Sequence, residues 1–96
     1  MAEPLDGQQL SAALAELTGW EADGDTITKT YAFSNFREAV SFIVRIAFAA
    51  EAANHHPELW NVYSRVRITL ATHDAGNRVT AKDIALAREI EHISWV

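Results

Sequence analysis

The sequence predicts an α+β fold, a four-stranded antiparallel sheet with helices on one face. Three observations carry this. Two stretches read as strand pairs: one is rich in β-branched and aromatic residues around an Asp-Gly turn, the other alternates apolar and polar residues. Three further stretches repeat apolar residues at helical spacing, each behind a capping residue: Asp6, Asn35 and Thr80. The resulting order is helix, strand, strand, helix, strand, strand, helix, and the tight link inside each strand pair makes its members antiparallel. The 96 residues suit a single domain, 1–96, with one small core.

Asp6 caps the first helix, with Gln9 as capping-box partner, and Leu10, Ala13, Leu14 and Leu17 follow at helical spacing until Gly19. Asp23-Gly24 marks a hairpin turn between strands near Trp20–Ala22 and Asp25–Phe33, the second carrying Thr26, Ile27, Thr28, Thr30 and Tyr31. Ser34-Asn35, with Glu38, starts a long helix over Phe36–Asn54. That helix carries two apolar seams. Phe36, Val40, Ile43, Ala47 and Ala50 form one; Phe42, Ile46, Ala49 and Ala53 form the other, with Val44 and Phe48 beside them. A surface helix needs one stripe, so the excess points to burial in another subunit.

Pro57 breaks the helical pattern. From Trp60 to Thr72, Trp60, Val62, Val66, Ile68 and Leu70 share one parity, which places them together on the core face. The run is long for one strand, so it is expected to reverse near Ser64-Arg65 through an odd-length loop that preserves the parity. Trp60 and Tyr63 read as packing residues. His73–Asn77 forms a loop, and Thr80 with Asp83 caps a last helix whose apolar face is Ile84, Leu86, Ala87, Ile90 and Ile93.

Composition excludes several functions. The chain has no cysteine, which removes disulfides, thiol catalysis, iron–sulfur clusters and cysteine zinc sites. A net charge of −5 gives no footprint for nucleic acid or an anionic membrane, and Arg65, Arg67 and Arg78 do not outweigh it. The longest apolar stretch, Ala39–Ala53, is broken by Ser41, Arg45 and Glu51 and is too short and polar to span a bilayer. The N-terminus has no signal-peptide pattern, so a soluble cytoplasmic domain is expected.

Three of the four histidines fall where elements end. His55 and His56 close the long helix, and His73 ends the last strand. A hairpin brings His73 back beside Pro57, whereas one straight strand would hold it roughly 40 Å from His56. The hairpin therefore predicts a cluster of three imidazoles. Glu51 lies one turn before His55 on the same helical face, where a carboxylate can orient an imidazole and raise its pKa, or it belongs to a solvated helix end with a surface ion pair. Asp83 is accounted for by capping alone. His92 reads as a surface or interface residue. Glu51, His55 or His56, and His73 include metal-ligand types, but no HExxH spacing organises them, and the expectation is no metal.

The run Glu51-Ala-Ala-Asn-His55-His56-Pro57, with Tyr63, Thr72-His73-Asp74-Ala75-Gly76 and Asp83, resembles the pterin-4a-carbinolamine dehydratases, a likeness that starts near Leu17-Thr18-Gly19-Trp20 and reaches the last helix. The resemblance implies a β(2)-α-β(2)-α fold with an extra N-terminal helix. It implies dehydration of 4a-hydroxytetrahydropterin to quinonoid dihydropterin in tetrahydropterin recycling, with no metal or organic cofactor. It assigns catalysis to His55, His56 and His73, pterin contacts to Asn54, His55, His56, Ala71, Thr72, His73 and Asp74, and support to Glu51 and Asp83. It also implies a homodimer or homotetramer. Two departures stand out. Leu59, followed by Trp60, occupies a position where several relatives carry an aromatic residue, and the loop Ala75–Thr80 is one residue longer than in many relatives. A non-catalytic pterin-binding or dimerisation-cofactor module of the same fold is the alternative, and a small metalloprotein the third reading.

Overall fold

A computed structural model describes residues 2–95. Helix α1 spans Gly7–Ala15, strand β1 Glu21–Asp23, strand β2 Thr26–Ala32, helix α2 Phe36–Ala53, strand β3 Glu58–Val62, strand β4 Arg65–Leu70 and helix α3 Ala81–His92, with a 3₁₀ turn at His73–Ala75. The strands form one antiparallel sheet in the order β1-β2-β4-β3. Ile27 and Tyr31 from β2 and Val66, Ile68 and Leu70 from β4 face the helices and join Phe42, Ile46, Ile84, Leu86 and Ile90 in one core. The expected α+β architecture, with helices on one face, is the one observed.

Local chemistry explains the boundaries. Asp6 Oδ1 accepts the Gln9 amide at 2.8 Å while the Gln9 side chain accepts the Asp6 amide at 2.9 Å, a complete capping box. The helix stops at Ala15, short of Gly19. Gly19 instead turns the chain into β1 at φ 84, where a Cβ would lie 2.9 Å from the Lys29 side chain. Asp23 pairs with Thr26, so the first hairpin closes over Gly24-Asp25.

The second hairpin overturns the expected parity. Val62 pairs with Arg65, so the loop is the two residues Tyr63-Ser64. An even loop flips one strand relative to the other. Leu59 and Asn61 therefore oppose Ile68 and Val66, while Trp60 and Val62 oppose Arg67 and Arg65 on the outer face. Tyr63 reverses the chain at φ 50 without a glycine. Trp60 and Tyr63 are exposed rather than packed in the core, and the Arg67 guanidinium lies 5.0 Å from the Trp60 ring.

The two seams of α2 also divide differently from expectation. Ala39, Phe42, Ile46 and Ala50 are buried. Phe36, Val40, Val44 and Phe48, four residues apart, form an exposed apolar stripe, with Phe48 75% exposed.

A polar hub ties α3 to the sheet. Glu91 Oε1 accepts from Trp20 Nε1 at 3.0 Å, from Lys29 Nζ at 2.5 Å and from the Tyr31 hydroxyl. Partial burial opposes ionisation of Glu91. Hydrogen bonds from Lys29 and Tyr31, the Lys29 charge and the Trp20 indole outweigh it, so the pKa lies below the ordinary 4.5. Tyr31 is pushed well above the ordinary phenol range, first by burial and then by its bond to the Glu91 carboxylate.

Candidate active site

The end of α2 sets the position of two histidines. Asn54 caps the helix in the left-handed conformation, φ 49 and ψ 44, which asparagine tolerates better than most side chains. The amide of Asn54 donates to the Glu51 carbonyl and that of His55 to the Ala50 carbonyl, both at 3.1 Å. This turn takes His55 off the helical face that Glu51 occupies. His55 is buried and reaches Asp83 at the start of α3, with Nε2 2.5 Å from Oδ1. His56 lies over the helix end, and its Nε2 is 2.6 Å from Glu51 Oε1. Glu51 thus partners His56, not the expected His55. A four-residue spacing puts two side chains on one face only while the helix continues, and this one ends at Ala53.

The third histidine arrives from β4. After Leu70 the chain passes Ala71 and Thr72 and enters the 3₁₀ turn that begins with His73. The longer loop folds back on Thr72: its amide donates to the Arg78 carbonyl at 2.8 Å, and its carbonyl accepts from Ala75 and Asn77 at 3.1 and 3.0 Å. Asn77, at φ 60, sets its Oδ1 3.3 Å from His73 Nδ1.

A cavity of about 410 Å³ opens between these segments, lined by Asn54, His55, His56, Ala71, Thr72, His73, Asp74 and Lys82. Its size suits a small organic molecule. The seven residues expected to contact substrate all line it. Leu59 and Trp60 do not. Lys82 is the residue that sequence reasoning missed. Its signal was a cation in the first turn of a helix, where the macrodipole favours anions.

The two imidazole–carboxylate pairs sit in opposite environments. His55 and Asp83 have side chains 10% and 0% exposed; His56 and Glu51 have 57% and 78%. The exposed pair is screened by water, whereas the buried one is held in a low dielectric. Behind it, Asp83 Oδ2 accepts the Thr80 amide and the Thr72 hydroxyl, both at 2.8 Å, so Asp83 completes the cap of α3 and anchors His55 with its two oxygens. Two of the three histidines each face one carboxylate, His55 with Asp83 and His56 with Glu51, while His73 faces Asn77; among the described residues no set of three histidine or carboxylate side chains is arranged to hold a metal ion. Three imidazoles line the cavity, and imidazole is the side chain used most often to deliver and remove protons in acid–base catalysis.

Comparison with known proteins places the chain in context. A family model described as pterin 4 alpha carbinolamine dehydratase matches residues 3–93. A protein of Opitutus terrae, named provisionally as a pterin-4-alpha-carbinolamine dehydratase, is 61% identical over 92 residues, 96% of this chain and 95% of the relative. One of Thermomicrobium roseum with the same provisional name is 46% identical over 90 residues, 94% and 96% of the two chains. The crystal structure of a transcriptional coactivator/pterin dehydratase from Brucella melitensis superposes with a TM-score of 0.91 at 40% identity, covering 97% of this chain and 100% of that one. A pterin dehydratase-like protein described as a RuBisCO assembly factor in the alpha-carboxysome shares the fold, with a TM-score of 0.64 at 20% identity over 78% of this chain and 86% of that one. Among the described residues no helix is long and apolar enough to cross a membrane.

Proposed function

Because the chain belongs to the pterin 4 alpha carbinolamine dehydratase family, we propose that it dehydrates 4a-hydroxytetrahydropterin to quinonoid dihydropterin and water, in the recycling of tetrahydropterin in the cytoplasm. The observation that carries this reading is the convergence of His55, His56 and His73 on one cavity of substrate size. In this reaction the C4a–O bond breaks, and its electrons leave with the oxygen, which takes one proton to become water. A ring nitrogen loses one proton as the new double bond to carbon forms. No electron enters or leaves, so the protein needs only an acid and a base set across one ring. Histidine serves either role near neutral pH.

The environments support a division of labour. His55, tied to a buried carboxylate, has a fixed orientation. His56 and His73 are exposed at the cavity, where they can exchange protons with solvent between turnovers. His56→Ala and His73→Ala are each expected to lower kcat by about 10²–10⁴-fold with the fold retained. The assay is dehydration of freshly generated 4a-hydroxytetrahydropterin, with circular dichroism as the fold control. Wild-type turnover in both variants overturns the assignment. An inactive but folded wild-type protein would favour the alternative, a non-catalytic module of the same fold.

We also infer self-association through the outward face of α2. The stripe Phe36, Val40, Val44 and Phe48 is exposed in the single chain, and each such side chain gains about 1.5–3 kcal/mol when fully buried. A symmetric partner can cover the stripe with its own copy, giving a homodimer or homotetramer.

A further inference from the structure

We propose that Thr72 is a positioning residue: with Thr80 behind it, its hydroxyl holds Asp83 as a carboxylate and His55 with its proton on Nε2, leaving Nδ1 as the atom that exchanges a proton with substrate. The catalytic half of this statement rests on the dehydratase reading; the proton placement does not.

The direction of each hydrogen bond follows from counting protons. Asp83 Oδ2 lies 2.8 Å from the Thr80 amide, which can only donate. It lies 2.8 Å from Thr72 Oγ1, which donates its single proton there. The Thr72–Thr80 hydroxyl contact, at 2.6 Å, must then be donated by Thr80. Thr80 Oγ1 accepts in turn from the Lys82 amide at 3.2 Å. The chain therefore runs one way, from the first turn of α3 through Thr80 and Thr72 into Oδ2. With two donors on Oδ2 the carboxyl proton has no place on that oxygen. Oδ1 remains, and it accepts from His55 Nε2–H at 2.5 Å.

Thr72, Thr80 and Asp83 are all buried, so no water competes for these bonds. Nδ1 of His55 makes no hydrogen bond among the described residues and is not a buried orphan. It is the ring atom left for a ligand, and His55 lines both the substrate-sized cavity and a second pocket of about 230 Å³ between α2 and α3; we place Nδ1 toward the first. A proton taken from substrate goes to Nδ1, and the imidazolium formed is stabilised through Nε2–H by the Asp83 carboxylate. A proton given to the leaving oxygen comes from the same atom.

The test is imidazole ¹⁵N NMR of His55 beside steady-state turnover, in wild type, Thr72→Val and Thr72→Ser. Valine keeps the shape and the backbone bonds of Thr72 but removes the hydroxyl; serine keeps the hydroxyl. Neutral wild-type His55 is expected as the Nε2–H tautomer. Thr72→Val should mix in the Nδ1–H tautomer and lower kcat about 10–100-fold with little change in KM, the range for losing one hydrogen bond to a charged group. Thr72→Ser should restore both. A wild-type Nδ1–H tautomer overturns the proposal, as does Thr72→Val with tautomer and kcat unchanged. If Thr72→Val fails to fold, the wild-type and Thr72→Ser tautomers still decide. Absent turnover with the Nε2–H tautomer intact would defeat the dehydratase reading and leave the proton placement standing.

Discussion

Replacing Glu91 with glutamine separates stability from chemistry, because Glu91 lies outside the cavity. Its Oε1 collects Trp20 Nε1, Lys29 Nζ and the Tyr31 hydroxyl. One hydrogen bond to a charged acceptor contributes about 1.5–3 kcal/mol net. Three donors sharing one atom are not independent, and the glutamine oxygen still accepts some of them. The Glu91 side chain is 29% exposed, so solvent screens part of the Lys29 attraction. The loss is therefore set at one to two such bonds, about 2–4 kcal/mol. At about 4–8 °C per kcal/mol for a domain of this size, Tm falls by roughly 10–30 °C. A total stability of about 5–15 kcal/mol leaves the variant folded at room temperature. The effect has a pH signature. The folded pKa of Glu91 lies below the ordinary 4.5, so its contribution is present above that value and is lost as pH falls through the folded pKa. Urea unfolding followed by tryptophan fluorescence, at pH 7 and in a descending acid series that passes through the folded pKa, reads both. Wild type and Glu91→Gln should differ at neutral pH and converge in acid, with turnover per folded molecule unchanged. Equal midpoints at neutral pH, or a gap that survives acidification, would refute the reasoning.

Two further outcomes are expected. Exhaustive chelation should leave turnover intact, since among the described residues the histidines and carboxylates do not converge on one point; activity lost on chelation and recovered with one specific ion would establish the metalloprotein reading instead. Phe48→Glu should weaken self-association by placing a charge in the outward stripe of α2, as read by light scattering, whereas a wild-type mass near 10.6 kDa at micromolar concentration would remove the interface.

Local rules were enough for the elements. Each cap is a short-range hydrogen-bond pattern, so Asp6, Asn35 and Thr80 marked their helix starts in the sequence itself. The three-histidine cluster was legible for a similar reason: a hairpin must return the chain to where it began, whatever its register. The parity of β3 was not legible. It depends on whether the loop holds an even or odd number of residues, and Tyr63 makes a two-residue turn by taking a positive φ that no glycine announces. The partner of each histidine was equally a tertiary matter. Glu51 lay at the spacing that pairs with His55, but the left-handed Asn54 ended the helix and gave Glu51 to His56. Asp83, 28 residues from His55 along the chain, became its partner only because α3 packs beside α2. The amino-acid sequence alone determined which residues could exchange protons and that they would meet. The packing of helix on helix decided that Asp83 faces His55, because that pairing depends on positions brought together by burial rather than by spacing along the chain.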